Sequence, residues 1–530
     1  MKNEKIFSLV DKDRLIRLLC LAISFVTALS VYNFVVTPIV SDLCVFLSGA
    51  NQANYINKNL VIGSYKQWEL KGYLNRLMVY LLYKITTFIS EYPSFHFGMV
   101  CSIVYLIMVF CIILLSVNLI TDTHNRYKKL IFAELIFLSL VMTWAECHVQ
   151  AEMSGTVILI LAIALYYHVA KKGLVFSKRD VVKLLLAGVL IGAIFYFKSV
   201  MLLMSVSVVA GVCLLLGEKK ALSMKRLCIV VLGSAMEISF NAILLVVINP
   251  GEFQDMLDTS LFQRPFWDSN ATVISAVKTL VSSYAQYGIL IPVLRIGIIC
   301  LLLNIIYYVR VKNYLDILCD VILWLMPFLF IFLTNKYFVY HYLAFVFPCL
   351  MEAIILLKRK SRADKVIFCS LFAAVCLRYH IDMGVFTENI QNYIATDKKT
   401  YAYNKEFFDS EKIDRDDMCM YLDDGVGSYY MGNKSYLKYY FPLPLQRLND
   451  KMDIKCRAET LERAMSYDGR YILVYEHWFF DLGYNDEIRK RINSEYRYIG
   501  SFKRYVPHQF ISKDVGTQEY DLYEKIDIEI

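Results

Sequence analysis

Long apolar runs separated by short polar connections fill the first 384 residues. A membrane span needs about 20 apolar residues. Eleven stretches fit: roughly 18–40, 97–120, 130–146, 150–170, 182–198, 200–216, 227–248, 288–309, 317–334, 339–357 and 366–384. The segments 130–170 and 182–216 each read as a tight hairpin of short helices. Beyond 384 the pattern changes, and charge and tyrosine replace the apolar runs. There MCMYL (418–422), YILVYE (471–476), YRYIGSF (496–502) and YDLYEK (520–525) read as short strands. AETLERAM (458–465) and NDEIRKRIN (485–493) read as amphipathic helices, and DDG and YDG as turns. The expected fold is a polytopic α-helical membrane protein with about 11 transmembrane helices over residues 1–384. A mixed α/β domain over 385–530 follows it.

The connections give an orientation. With the N-terminus in the cytoplasm, the internal loops are HNRYKK, KKGLVFSKRD, GEKKALSMKR, RVKNYLD and KRKSRADK, and every one is basic. The short external connections are nearly free of Lys and Arg, as the positive-inside rule requires. Eleven spans then place the C-terminal domain outside the cell membrane. Two long external loops accompany it, 41–96 and 249–287. Within the first, SDLCVFLSGANQANYINKN carries Leu43, Phe46, Leu47, Ala50 and Tyr55 among polar residues, which suits a helix lying in the membrane interface. GYLNRLMVYLLYKITTFI reads the same way, with Arg76 and Lys84 placed to snorkel. Counting it as a twelfth span would reverse every later loop against the charge pattern.

Composition agrees: 57% of the 530 residues are hydrophobic, and mean hydropathy is +0.46. The net charge of +8 sits largely in the internal loops, so it is a topology signal and not a nucleic-acid one. The first apolar run follows a basic start but has no small-residue cleavage site, so it reads as a retained span. Of the 14 cysteines, only Cys44, Cys419 and Cys456 fall clearly in external regions, and no CxxC occurs. Neither a disulfide framework nor a zinc site is supported.

The chemistry gathers at one depth. Asp42 closes the first span on its outer side. Glu146, His148 and Glu152, in WAECHVQAE, mark the outer turn of the first hairpin, and Lys198 that of the second. Glu69 and Lys71 lie in QWELKG of the first loop, and Arg264 in the second. Lys336, Tyr340 and His341 lie in NKYFVYHY between spans nine and ten. Ionisable residues at membrane depth are costly and mark function or a paired contact. His148 and Glu152 are four apart and share a face if helical. A carboxylate at the outer surface can act as general base toward a hydroxyl. Cations at that depth can hold a phosphate. Each residue also has a structural reading: Asp42 as a helix cap, Lys198 and Arg264 as snorkelling cations, and NKYFVYHY as an aromatic belt. Asp423 and Asp424 before Gly425 read most simply as a turn.

This layout resembles the GT-C superfamily of membrane glycosyltransferases, on Asp42 in VSDLCVF, QWELKG, WAECHVQAE and NKYFVYHY. The resemblance covers roughly residues 15–385. It implies a hexosyltransferase that moves a sugar from a polyprenyl-phosphate donor to a hydroxyl on a glycan, lipid or protein acceptor at the outer face, in cell-surface glycan synthesis. It implies Asp42, Glu146 and Glu152 as catalytic groups. Substrate contacts would come from His148, Glu69, Lys71, Lys198, Arg264, Lys336, Tyr340 and His341. Some members bind a divalent metal through a DxD-like motif. Here Asp42 stands alone and no DxD lies near the second turn, so no metal ligands are assigned. The implied partners are the donor, the acceptor and membrane lipids, and no nucleic acid. Two alternatives share the substrate class: a flippase of lipid-linked glycans and a glycan polymerase. A transporter would show repeats and midplane polar groups, and neither is seen. The polymerase is expected to use arginines in two large external loops, and the loop 249–287 has only Arg264.

Overall fold

Every apolar run that can be followed is helical. The computed structural model describes residues 2–36, 41–66, 72–141, 149–173, 177–216, 223–251, 278, 290–334, 343–358, 369–370, 372–374, 398–423, 425–437, 461–475, 486–507 and 515–526. The helices are α1 (Lys2–Val36), α2 (Ser41–Ile56), α3 (Leu60–Lys66), α4 (Tyr73–Thr87), α5 (Phe95–Ile120), α6 (Arg126–Val141), α7 (Ala151–Ala170) and α8 (Lys178–Phe197). A 3₁₀ turn (Ser199–Leu203) leads into α9 (Met204–Leu216), followed by α10 (Met224–Ile248), α11 (Leu290–Arg310), α12 (Tyr314–Thr334) and α13 (Val346–Lys358). Among the described residues six helices are long and apolar enough to cross a membrane: Phe95–Ile120, Ala151–Ala170, Lys178–Phe197, Ser199–Leu216, Met224–Ile248 and Tyr314–Ile331. The chain is a multi-pass membrane protein, but the expected count of eleven is not reached among those residues. α6, for example, has 16 residues, and Arg126, Lys128 and Lys129 occupy its first turn. The expected span 366–384 lies almost wholly outside the described residues.

The chain folds as two compact units. One holds 1–35, 105–241 and 270–384, and the other 36–104, 242–269 and 385–530. In the first, α7 is the hub. It is apolar on all sides and buried along nearly its whole length, as a helix without a polar face must be. It packs on α8 and α9. α10 faces outward instead, exposing Val231, Leu232, Met236 and Phe240, which suits lipid contact. α8 and α10 approach closely through small residues. A Cβ on Gly192 would meet the Ser234 carbonyl at 2.7 Å, one on Gly188 would strike the Val230 carbonyl, and Ser234 Oγ donates to the Gly188 carbonyl at 2.8 Å.

One end of this unit gathers the basic connections. Lys171 pairs with Asp122 at 2.6 Å, Lys172 with Asp180 at 2.6 Å, and Arg226 donates to the Gly173 carbonyl. The His168 ring reaches the Leu119 carbonyl at 3.1 Å. The ends of α5 and α7 therefore share one end of the unit with the starts of α8 and α10. Alternating spans joined by HNRYKK, KKGLVFSKRD and GEKKALSMKR require this grouping.

The second unit carries a five-stranded sheet. Its strands are β1 (Met418–Leu422), β2 (Lys434–Ser435), β3 (Tyr471–Val474), β4 (Tyr496–Pro507) and β5 (Val515–Lys525), in the order β2-β1-β3-β5-β4. β1 runs parallel to β2 and β3, while β5 is antiparallel to β3 and β4. The four strands read from sequence are all present. The helix Asp486–Glu495 lays Ile488 and Ile492 onto a core with Met420, Leu422, Ile472, Val474 and Tyr496.

In the same unit α2 departs from an interfacial helix. Ser48, Asn51, Gln52 and Tyr55 lie on one face, at spacings of three, four and seven. They meet the segment 428–435 and not a watery headgroup layer. Ser48 Oγ and Ser428 Oγ are 2.7 Å apart, Asn51 donates to the Gly432 carbonyl at 2.8 Å, and Tyr55 donates there at 3.2 Å. Gln52 clamps β2 with both ends of its amide, donating to the Asn433 carbonyl at 2.8 Å and accepting from the Ser435 amide at 2.7 Å. The sequence showed the polar row but not the protein surface it meets. α4 also differs from the expectation. Arg76 is buried, and Lys84 donates to Asn54 at 2.5 Å, so neither reaches out to headgroups. Tyr83 donates to Asn51 at 2.9 Å, and burial pushes its hydroxyl well above the ordinary tyrosine range, keeping it a neutral donor.

Candidate functional site

Two of the eleven sequence candidates have described side chains, and the structure brings those two together. Glu152 enters in the first turn of α7, where the helix dipole favours a carboxylate. It is fully buried. Lys198 ends α8: its extended backbone, φ −160° and ψ 112°, breaks the helix and starts the 3₁₀ turn. That break throws its side chain back toward α7. Nζ forms an ion pair with Glu152 Oε1 and lies 5.3 Å from the centroid of the Phe330 ring on α12. The Lys198 side chain keeps 19% of its surface exposed. The start of α7, the end of α8 and the last turns of α12 thus meet at one end of the first unit. It is opposite the end where α7 finishes and α8 begins.

The surroundings hold this pair in place. A Cβ on Gly155 would come within 2.7 Å of the Met201 methyl, so the glycine lets the 3₁₀ turn seat against α7. Ser154 Oγ meets Tyr105 Oη at 2.9 Å, tying α7 to α5. Just before α7, Val149 adopts φ 52° while fully buried. A β-branched residue in the left-handed region is strained, and such strain concentrates at functional sites. No sequence signal marks this position, because a valine does not favour that conformation.

Chemically, the arrangement is a fully buried carboxylate paired with a lysine whose side chain is partly exposed. The carboxylate is already engaged with a cation. The pair therefore suits anion binding better than proton abstraction.

Of the other nine candidates, Asp42 lies in the first turn of α2, and its side chain is outside the described residues. Glu146, His148, Glu69, Lys71, Arg264, Lys336, Tyr340 and His341 also lie outside them. Among the described residues no group of three or more His, Cys, Asp and Glu side chains is arranged to hold a metal ion. Cys44 and Cys419 are buried and in no disulfide.

No protein-family model matches the chain, and no curated protein matches it in sequence. Among solved structures the chain is similar to the oligosaccharyltransferase of Archaeoglobus fulgidus, solved as a complex with zinc and sulfate. The TM-score is 0.41 at 11% identity, covering 93% of this chain and 73% of that one.

Proposed function

We propose that the protein is a membrane glycosyltransferase that moves a sugar from a polyprenyl-phosphate donor to an acceptor hydroxyl on the outer face of the membrane. Asp42 takes the proton of the acceptor hydroxyl. The oxygen attacks the anomeric carbon, the bond to the lipid phosphate breaks, and configuration inverts. Phosphate is a good leaving group, so no second carboxylic acid is needed to protonate it, unlike glycoside hydrolysis. Charge developing on the phosphate is met by cations drawn from Lys198, Arg264, Lys336 and His341. Glu152 positions the Lys198 ammonium. Glu146, His148, Glu69, Lys71 and Tyr340 contact donor or acceptor.

The observation that carries the reading is the Glu152–Lys198 pair. Two residues 46 apart in sequence meet as an ion pair at a single end of a membrane unit, the carboxylate fully buried and the lysine side chain 19% exposed.

The test is donor cleavage. Purified protein in detergent, given fluorescent polyprenyl-phosphate sugar and membranes bearing native acceptors, is expected to release free lipid phosphate. Movement of intact donor across a vesicle bilayer without cleavage would instead establish the flippase.

A further inference from the structure

The first unit holds a second polar cluster, far along its helices from Glu152 and Lys198. α11 supplies Asn304, α12 supplies Asp320 and Trp324, and α13 supplies Glu352. Asn304, Asp320 and Glu352 are fully buried. Each of these three lies six residues from a helix end, at Arg310, Tyr314 and Lys358. That is about 9 Å of helix. α11 packs on both α12 and α13, which brings the three positions together at one depth.

The two carboxyls are not equivalent. Glu352 receives Asn304 Nδ2 on Oε2 at 2.5 Å and Trp324 Nε1 on Oε1 at 3.0 Å. Two donors on two oxygens are what an ionised, acceptor-only carboxylate requires. Asp320 receives no N–H or O–H on either oxygen. Asp320 lies one turn before Trp324 on α12, on the helix face that meets the Glu352 carboxyl, and Glu352 and Asp316 are its acidic neighbours. Two carboxylates cannot hydrogen-bond to each other, because neither has a hydrogen to give. Two adjacent negative charges inside a membrane bundle are also very costly. A hydrogen on one of them resolves both problems, and Asp320, the carboxyl without donors, is the one that needs it.

We propose that Asp320 and Glu352 form an intramembrane proton-binding site, in which Asp320 is a carboxylic acid donating to a Glu352 carboxylate held by Asn304 and Trp324. The ligand is the proton itself. The site stands independently of the glycosyl-transfer reading, since it uses none of those residues.

The test uses the full-length protein in detergent and dicyclohexylcarbodiimide, an apolar reagent that reacts with protonated carboxyls. The acid proton passes to a carbodiimide nitrogen while the carboxyl oxygen bonds the central carbon, and the adduct rearranges to a stable N-acylurea. Peptide mass spectrometry is expected to find the adduct at Asp320. Asp320→Asn removes labelling there and leaves Glu352 unlabelled, because the new amide donates to a carboxylate that stays ionised. Glu352→Gln keeps the label at Asp320. Infrared spectra of the unmodified protein show a protonated carboxyl stretch that shifts in D₂O and weakens in Asp320→Asn. Absence of both the adduct and the band in the unmodified protein overturns the proposal, even if a variant fails to fold. So does one tightly bound metal ion per chain whose removal is needed for labelling.

Discussion

Glu152 and Lys198 show how one ion pair is read differently from sequence and from structure. The sequence places both at the outer depth of their hairpins, but their pairing requires the backbone break at Lys198, which no local pattern announces. Removing one partner of a buried pair costs about 3–5 kcal/mol, because the other charge stays behind. Lys198→Met is therefore expected to lower stability by about that amount in a detergent unfolding assay, and adding Glu152→Gln should recover much of it. Recovery of stability without recovery of transfer would separate Lys198's role toward phosphate from its structural one.

Another single residue carries a pH effect. Glu524 on β5 accepts from Arg470 at 2.8 Å and Arg497 at 2.7 Å. Burial raises its carboxyl, but the two guanidiniums outweigh burial and hold it below the usual range. A depressed carboxyl stabilises the fold above its unfolded value, near 4.5, and that stability is lost as pH falls through the folded value. Hydrogen-exchange protection factors of the β4–β5 ladder, corrected for the intrinsic pH dependence of exchange, are expected to fall below about pH 4.5. In Glu524→Gln the ladder should exchange faster at neutral pH and respond less to acid.

At the scale of elements, periodicity was informative where a helix or strand has one environment, and less so where two elements meet. The strands MCMYL, YILVYE, YRYIGSF and YDLYEK were legible because alternation and β-branched or aromatic content report a sheet directly. α2 was legible as a helix but not in its partner, since a polar face looks the same whether it meets water or protein. Gln52→Ala leaves the Ser435 amide without its acceptor, at a cost of about 1–3 kcal/mol. Faster exchange at Ser435 and the adjoining β1 edge is the expected result. α8 and α10 are similar: Gly188 and Gly192 are visible in sequence, but their contact with 230–234 is not. Gly188→Leu should force the helices apart and lower the detergent melting temperature, whereas a leucine at exposed Met236 should not.

For the whole molecule, the sequence reading of a polytopic helical chain with a C-terminal α/β region agrees with the six membrane-length helices and the five-stranded sheet seen among the described residues. Lys171, Lys172 and Arg226, from two of the basic connections, lie at one end of the first unit. Less legible was the division of the chain: the helices of 41–96 share a unit with the C-terminal sheet and not with the spans that flank them. The cause is the polar face of α2, which bonds to 428–435 across more than 370 residues of sequence. The central claim, polyprenyl-phosphate-dependent transfer with Asp42 as base, is tested most directly by Asp42→Asn in the donor-cleavage assay. The account predicts a loss of about 10²–10⁴-fold in lipid-phosphate release, the usual contribution of a general base, with membrane insertion and melting temperature unchanged. Full release by the Asn variant would contradict it.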